Sequence, residues 1–264
     1  MKKITISIFV LFALAFMSSN LYAEEAKVTG SASMGVFNRY IFRGYELSTN
    51  SAAIQPALSI SYAGFSAGFW GNIDSNETAT QSFVPDRPDR KSFNEVDLTL
   101  SYTYNIGKLG LTGGYVYYGT KYTNETEELF VTATYDIITK PTLSVYRDIG
   151  SYPGTYINLS LAHSLPVYKE ITLDLGASAG YFIGDDDYFR TTDPASGAIG
   201  KKYSAFHDGM VKTGFTIPVT KAFSVQPLVQ YWFPLSNDAK KHGHNPNGHL
   251  DNTFVTGLNA VFTF

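Results

Sequence analysis

The sequence predicts an all-β fold class, an up-and-down antiparallel β-barrel of about 12 strands. Three observations predict it. Apolar and polar residues alternate in short segments along most of the chain, the connections between these segments alternate in length, and the composition combines many aromatic residues with little charge. The 264 residues include 19 Tyr, 19 Phe and 23 Gly, and only 16% are charged. Aromatic side chains favour pleated strands and the two water interfaces of a membrane.

The first residues carry the features of a secretory signal peptide. A basic start, Met1-Lys2-Lys3, precedes an uncharged and largely apolar run from Ile4 to Met17, and Leu21-Tyr22-Ala23 follows before Glu24. The apolar run is shorter than the roughly 20 residues that a membrane-spanning helix needs. We therefore expect a signal peptide over residues 1–23 and a single barrel domain over residues 24–264.

The alternation is clearest in the fourth predicted strand. There Val96, Leu98 and Leu100 share one face, while Glu95 and Asp97 begin the opposite face. The other predicted strands cover residues from about 32 to 42, and then 54–62, 65–73, 109–118, 128–136, 142–148, 155–164, 171–182, 205–217, 223–233 and 253–264.

The connections between the predicted strands alternate between short and long. The short ones are residues 63–64, 105–108, 138–141, 165–170 and 218–221, and the long ones are about 43–53, 74–94, 119–127, 149–154, 184–204 and 234–252. This pattern is typical of a transmembrane barrel with short periplasmic turns, long extracellular loops and both termini on the periplasmic side. The alternative that we considered is a secreted β-sandwich, whose apolar faces would point into a dry core.

The composition also excludes some classes of function. Cys is absent, so disulfide and thiolate chemistry is unavailable. Acidic residues slightly outnumber basic ones, at 23 against 20, and no basic run occurs, which argues against nucleic acid as a partner. No long apolar segment follows residue 23, so a helical membrane protein is excluded.

If the apolar faces contact lipid, the opposite faces line the lumen. The alternation places a set of polar and charged side chains there, with the two arginines on the first strand: Arg39, Arg43, Glu95, Asp97, Asp174, Lys212, Gln226 and Gln230. Opposed charges in a narrow lumen can select solutes. The alternative is that Arg39 and Arg43 pair with Glu95 and Asp97 and plug the lumen.

Three loop features invite functional interpretations that we regard as the weaker ones. The loop from Ser75 to Asn94 contains two prolines and alternating charges, and could narrow the mouth of a channel. Asp185-Asp186-Asp187 could bind Ca²⁺ or bridge lipopolysaccharide, but no further spaced ligands accompany the three carboxylates. No Cys, Asp or Glu lies among His242, His244 and His249, and two lysines precede them, so we predict a solvated loop and no metal site.

The sequence offers no convincing catalytic constellation. His163-Ser164 and His207-Asp208 are adjacent pairs on strands, where neighbouring side chains point to opposite faces. We therefore expect neither an enzyme nor a cofactor.

A stretch near the start resembles the TorF family of porins. It comprises Tyr-Ile-Phe-Arg-Gly-Tyr-Glu-Leu-Ser from Tyr40, then Gln55-Pro56-Ala57-Leu58, and then a hairpin that ends in Trp70-Gly71-Asn72. The resemblance implies an outer-membrane barrel that passes solutes, with no catalytic residues, and it singles out Arg43 within Phe42-Arg43-Gly44. The terminal Phe264 also resembles the signal read by the outer-membrane assembly machinery.

We therefore expect a channel in the bacterial outer membrane for passive diffusion of small hydrophilic solutes. Its expected partners are outer-membrane lipid, lipopolysaccharide, the barrel assembly machinery and those solutes. Two alternatives remain open: a barrel enzyme that acts on lipid or lipopolysaccharide, and a sealed barrel whose outer loops bind a partner.

Overall fold

The computed structural model describes residues 27–48, 51–76, 93–121, 123–185, 188–192, 196, 198–242 and 250–264. The predicted signal peptide lies outside these described residues. The elements in chain order are β1 (Thr29–Phe37), β2 (Tyr40–Phe42), β3 (Tyr45–Ser48), β4 (Ala53–Tyr62), β5 (Phe65–Asp74), β6 (Phe93–Ile106), β7 (Leu109–Thr120), β8 (Thr126–Tyr135), β9 (Thr142–Asp148), β10 (Gly154–Tyr168), β11 (Ile171–Gly184), β12 (Arg190–Thr192), β13 (Ile199–Lys202), β14 (Ser204–Pro218), β15 (Phe223–Pro234), α1 (Asn237–His242) and β16 (Thr253–Thr263).

Within the described chain, 12 antiparallel strands form one closed barrel, which confirms the predicted fold class. The order around the barrel is β1, β16, β15, β14, β11, β10, β9, β8, β7, β6, β5 and β4. The first and last strands meet at a seam, where Gly30 and Phe264 exchange two backbone hydrogen bonds of 2.8 and 3.0 Å. Closure leaves the sheet without an open edge.

The two faces of the wall differ in chemistry as predicted. On β6, Leu98 and Leu100 point outward and are 50% and 60% exposed, whereas Glu95 on the inner face is buried. Inner hydroxyl groups pair across neighbouring strands, as in Ser31 with Ser59 at 2.9 Å. The large apolar side chains are therefore outside and polar ones inside, which is the inverse of a β-sandwich and suits a wall surrounded by lipid.

The first predicted strand is too long. We expected it to reach residue 42, but β1 ends at Phe37. At this point the side-chain oxygen of Asn38 accepts a hydrogen bond of 2.8 Å from the backbone N–H of Thr256. The side chain of Asn38 thus takes the place of a backbone carbonyl as the acceptor for Thr256, and the chain leaves the wall after this residue. Residues 40–48 form a separate hairpin of β2 and β3, so the prediction that Arg39 and Arg43 lie on the first barrel strand is wrong.

The end of the barrel that carries the long connections also carries the remaining small elements. β12 and β13 pair in a second short sheet, and α1 follows β15. Ser236 caps α1, because its Oγ accepts a 3.0 Å hydrogen bond from the N–H of Ala239. In the described part of the chain, no helix is long and apolar enough to cross a membrane.

One short turn is tighter than predicted. We expected the connection after the tenth strand to run from residue 165 to 170, but β10 continues to Tyr168 and the turn contains only Lys169 and Glu170. Lys169 adopts a positive φ of 49°, which allows the strands to reverse within two residues.

Closure of the barrel can be tested with engineered cysteines, because the chain has none of its own. Ser33 on β1 lies opposite Val261 on β16. Counting from the bonded pair of Gly30 and Phe264, they form a non-hydrogen-bonded pair, whose Cα atoms are typically about 4.5 Å apart. The double variant Ser33→Cys and Val261→Cys is expected to form a disulfide upon mild oxidation, measured as a mobility shift on a non-reducing gel.

A diagonal pair provides the matched control. In Ser33→Cys and Thr263→Cys the two Cα atoms should be about 7–8 Å apart, which exceeds the usual reach of a disulfide. Equal cross-linking of the two double variants would contradict the register at the seam.

Candidate functional site

The hairpin of β2 and β3 crosses the barrel lumen. It connects β1 with β4, which are neighbours in the wall, whereas β9 lies six positions from β1 in the ring of 12 described strands. The guanidinium of Arg43, at the hairpin turn, nevertheless lies 5.0 Å from the ring centre of Tyr146 on β9. The tip of the hairpin therefore reaches the opposite wall, near the end that carries the long loops.

The turn of the hairpin contains Arg43 and Gly44, both with positive φ, at 48° and 82°. A Cβ atom added to Gly44 would lie 2.8 Å from Cβ of Asp208 and 2.9 Å from Cδ2 of Leu250. Glycine is therefore required here both by the backbone conformation and by the close approach to the wall.

Arg43 attaches the tip to the far wall through Glu128 on β8. Two parallel hydrogen bonds, each 2.7 Å long, join its guanidinium nitrogens to both carboxylate oxygens. The hydroxyl group of Tyr118 donates a third bond, of 2.8 Å, to Glu128. The two charged side chains are only 13% and 6% exposed. This forked geometry is the strongest form of a carboxylate ion pair, and removal of either partner would leave a buried charge.

Aromatic rings surround the Arg43 guanidinium. Its central carbon lies 4.7 Å from the ring centre of Phe42, 5.0 Å from that of Tyr146 and 4.5 Å from that of Tyr156. These distances allow cation–π attraction in addition to the ion pair. The combination holds the hairpin tip in one position.

The acidic residues predicted on β6 line the same level of the lumen, but they do not pair with the arginines. Arg39 instead pairs with Glu46 of β3 at 2.6 Å, and Arg43 pairs with Glu128. The predicted alternative of Arg39 and Arg43 pairing with Glu95 and Asp97 is therefore wrong. Glu128, the partner of Arg43, is not among the predicted lumen residues, although its inward position follows from the alternation of β8.

Glu95 and Asp97 have other surroundings. The carboxyl group of Glu95 lies beside Tyr40 of the hairpin. One carboxylate oxygen of Asp97 is buried and has no hydrogen-bond partner in the described part of the chain. Two carboxyl groups of β6 therefore lie at the level of the neutralised pair of Arg43 and Glu128.

The remaining predicted lumen residues lie on the inner face below the hairpin. Asp174 accepts hydrogen bonds from Ser164 and Thr216, both at 2.6 Å. Lys212 extends across Gly176 of the neighbouring strand, where an added Cβ would lie 2.6 Å from its Cε. Gln226 accepts a 3.3 Å bond from Asn259.

Gln230 contacts another inner-face residue, because its side-chain oxygen accepts a 2.8 Å bond from the indole of Trp232. These contacts place the four predicted wall residues Asp174, Lys212, Gln226 and Gln230 on the lumen side.

His163 and His207 have hydrogen-bond partners other than the adjacent residues Ser164 and Asp208. His163 contacts the carbonyl oxygen of Ile138 at 2.8 Å, while Ser164 bonds to Asp174. His207 is fully buried and bonds at 2.6 Å to the hydroxyl group of Tyr203. Its ring lies 5.1 Å from that of Tyr45 in the hairpin, so it packs against the structure that fills the lumen.

The outer loops are described only in part. Arg147 donates hydrogen bonds of 3.0 and 2.6 Å to the two carboxylate oxygens of Asp185, and these bonds lower the pKa of Asp185. Asp186, Asp187, His244, His249, the side chain of His242 and most of the proline-containing loop lie outside the described residues. Among the described residues, no group of three or more His, Cys, Asp or Glu side chains is placed to hold a metal ion.

Solved outer-membrane barrels share this fold. An outer-membrane channel from Pseudomonas putida F1 superposes with a TM-score of 0.52 at 11% identity, covering 94% of this chain and 98% of that one. The NanC porin superposes with a TM-score of 0.51 at 9% identity, covering 88% of this chain and 98% of that one. At these identities the likeness shows the fold alone. No curated protein sequence matches this chain.

The sequence also matches a protein-family model, over residues 23–202. The match spans the hairpin, its partner Glu128, the wall strands from β1 to β11, and the short sheet of β12 and β13. On this basis the chain belongs to the Gcw_chp family, which is described as bacterial protein of unknown function.

Proposed function

We propose that this protein is a bacterial outer-membrane channel through which small hydrophilic solutes diffuse, and that the hairpin of β2 and β3 forms its constriction. The observation that carries the proposal is a polar lumen crossed near its outer end by one anchored hairpin. A 12-strand barrel is wider than the 8-strand barrels that side chains fill, and narrower than the 16 to 18 strands of large porins. A small solute therefore has to pass beside the hairpin.

Two further observations support a channel. The solved barrels of similar fold include proteins described as an outer-membrane channel and as a porin. The resemblance to TorF family porins rests partly on Phe42-Arg43-Gly44, and these residues form the tip of the constriction. Export by a signal peptide over residues 1–23 and insertion in the outer membrane belong to the same proposal.

Ionised carboxyl groups at the constriction would favour cations over anions. Asp97 and Glu95 place such groups on one wall, while the positive charge of Arg43 is compensated by Glu128. Rings of acidic side chains give cation selectivity in other pores. We therefore propose that the constriction passes small cations and neutral polar solutes more readily than anions.

The crossing hairpin also supports a second candidate, a barrel that is sealed in its resting state. In that case the hairpin, held by Arg43 and Glu128, would block the lumen completely. Electrical measurements on the same preparation distinguish the two candidates.

Conductance in a planar lipid bilayer tests the channel. The refolded protein is expected to give discrete current steps with a preference for K⁺ over Cl⁻. Asp97→Asn removes one acidic group from the constriction and is expected to lower this preference.

The matched control is Glu127→Gln, which removes one charge at a similar height on the outer face of β8. The absence of current steps would reject the channel, and equal selectivity in both variants would reject the role of Asp97. Altered lipid without conductance would favour an enzyme.

The ion pair at the hairpin tip gives a second prediction. Arg43→Ala leaves Glu128 buried without its cation, so the free energy of unfolding in urea is expected to fall by about 3–5 kcal/mol. The open-state conductance should rise, because the tip is no longer attached to the far wall. If the wild-type protein gives no current and the Arg43→Ala variant conducts, the barrel is sealed in its resting state.

Arg39→Ala is the control for that measurement. The pair of Arg39 and Glu46 is 37% and 28% exposed, and solvent screening limits such a pair to at most about 1 kcal/mol. Similar losses in the two variants would contradict the proposed anchoring role of Arg43.

The last residue gives a third prediction, which rests on the proposed assembly signal. Phe264 is 54% exposed on the outside of the barrel, as is Phe262 at 46%. Phe264→Ala keeps the backbone bonds to Gly30 but removes the terminal ring. We expect it to reduce the amount of protein in the outer-membrane fraction several-fold, whereas Phe262→Ala should not. Equal amounts of the two variants would reject the signal.

A further inference from the structure

A cavity of about 250 Å³ lies on the outer side of the hairpin tip. Its walls include residues of the outer connections, such as Asn124 and Tyr152, and its floor includes Arg43 and Glu128. Pockets that bury drug-sized ligands begin at roughly 300 Å³. The cavity therefore suits a smaller molecule that enters from the loop end and rests on the constriction.

Aromatic rings form most of the cavity wall. In one group, the rings of Phe42 and Tyr118 lie 6.0 Å apart. In a second group, the rings of Tyr152 and Tyr188 lie 5.1 Å apart, and those of Tyr188 and Phe189 lie 4.7 Å apart. All five side chains line the cavity. A molecule in the cavity therefore has aromatic rings from both groups around it.

The titratable groups that line the cavity are mainly acidic. Glu95, Glu128 and Asp148 contribute carboxyl groups, and Arg43 is paired with Glu128. Asp148 accepts hydrogen bonds from the hydroxyl of Thr126 at 2.8 Å and from the N–H of Gly150 at 2.9 Å. These donors hold the carboxyl group of Asp148 in place at the edge of the cavity, and a bound cation would favour its ionised form.

We propose that this outer cavity binds a small organic cation of the substituted-ammonium class. Such an ion presents an apolar surface with a diffuse positive charge, which matches aromatic faces combined with nearby carboxylates. A hydrated metal ion would lose its water shell against apolar rings, and an anion would meet the carboxylates. The inference deepens the proposed function, because it assigns a solute class to the entrance of the channel.

Calorimetric titration of the refolded protein in detergent tests the proposal. The probe is choline chloride, and the control ligand is 3,3-dimethyl-1-butanol, which has nearly the same shape without the charge. Choline is expected to bind at least tenfold more tightly than the neutral alcohol. Tyr152→Leu is expected to weaken choline binding by about 2- to 30-fold, the range of a cation–π contact. Asp148→Asn is expected to weaken it as well, because it removes a group that can pair with the bound cation.

Two control variants complete the experiment. Tyr152→Phe keeps the ring and should bind choline nearly as well as the unaltered protein, and Glu127→Gln should bind it equally well. Heat-dependent gel migration checks that each variant is folded. Equal binding of choline and the neutral alcohol would overturn the proposal. Binding of glucose, an uncharged polar solute, by a protein that does not bind choline would also overturn it.

The outcome is separable from that of the proposed function. Choline binding without current steps would reject the channel and keep the cation site. Current steps without choline binding would keep the channel and reject the site.

Discussion

Closure of the sheet between β1 and β16 is the constraint on which the rest of the structure depends. In lipid, each backbone N–H and C=O needs a partner within the protein, and a barrel meets this need only when its first and last strands pair. The hydrogen bonds between Gly30 and Phe264 continue this pairing to the last residue of the chain. Because the wall is complete, the apolar residues can face outward and the lumen can hold the polar ones.

The closed wall also makes the hairpin possible. Residues 40–48 leave the wall and are surrounded by the barrel, so their polar groups need partners on the inner face. Glu128 of the wall accepts two hydrogen bonds from Arg43, and within the hairpin Ser48 accepts one from the backbone N–H of Tyr40. The hairpin thereby narrows the lumen at one level and forms the floor of the outer cavity. Constriction and cavity are two sides of the same element.

Much of the fold could be predicted from the sequence, but the centre of the site could not. Alternation assigned Glu95, Asp97 and Asp174 to the inner face, because side-chain direction in a strand has a period of two residues. The same alternation continues through Arg39 and Arg43, since the hairpin strands share this period. It therefore could not distinguish a strand in the wall from a strand inside the lumen. The partner of Arg43 was also hidden, because Glu128 lies 85 residues away in the sequence.

The sequence by itself determined the fold class, the strand faces and the sorting of short turns and long loops. These properties follow from local periodicity and from the inverted polarity that lipid imposes on a barrel wall. Only the tertiary structure decided that residues 40–48 turn into the lumen, which wall they reach and where the outer cavity lies. Those features depend on contacts between distant segments, and such contacts exist only once the barrel has closed.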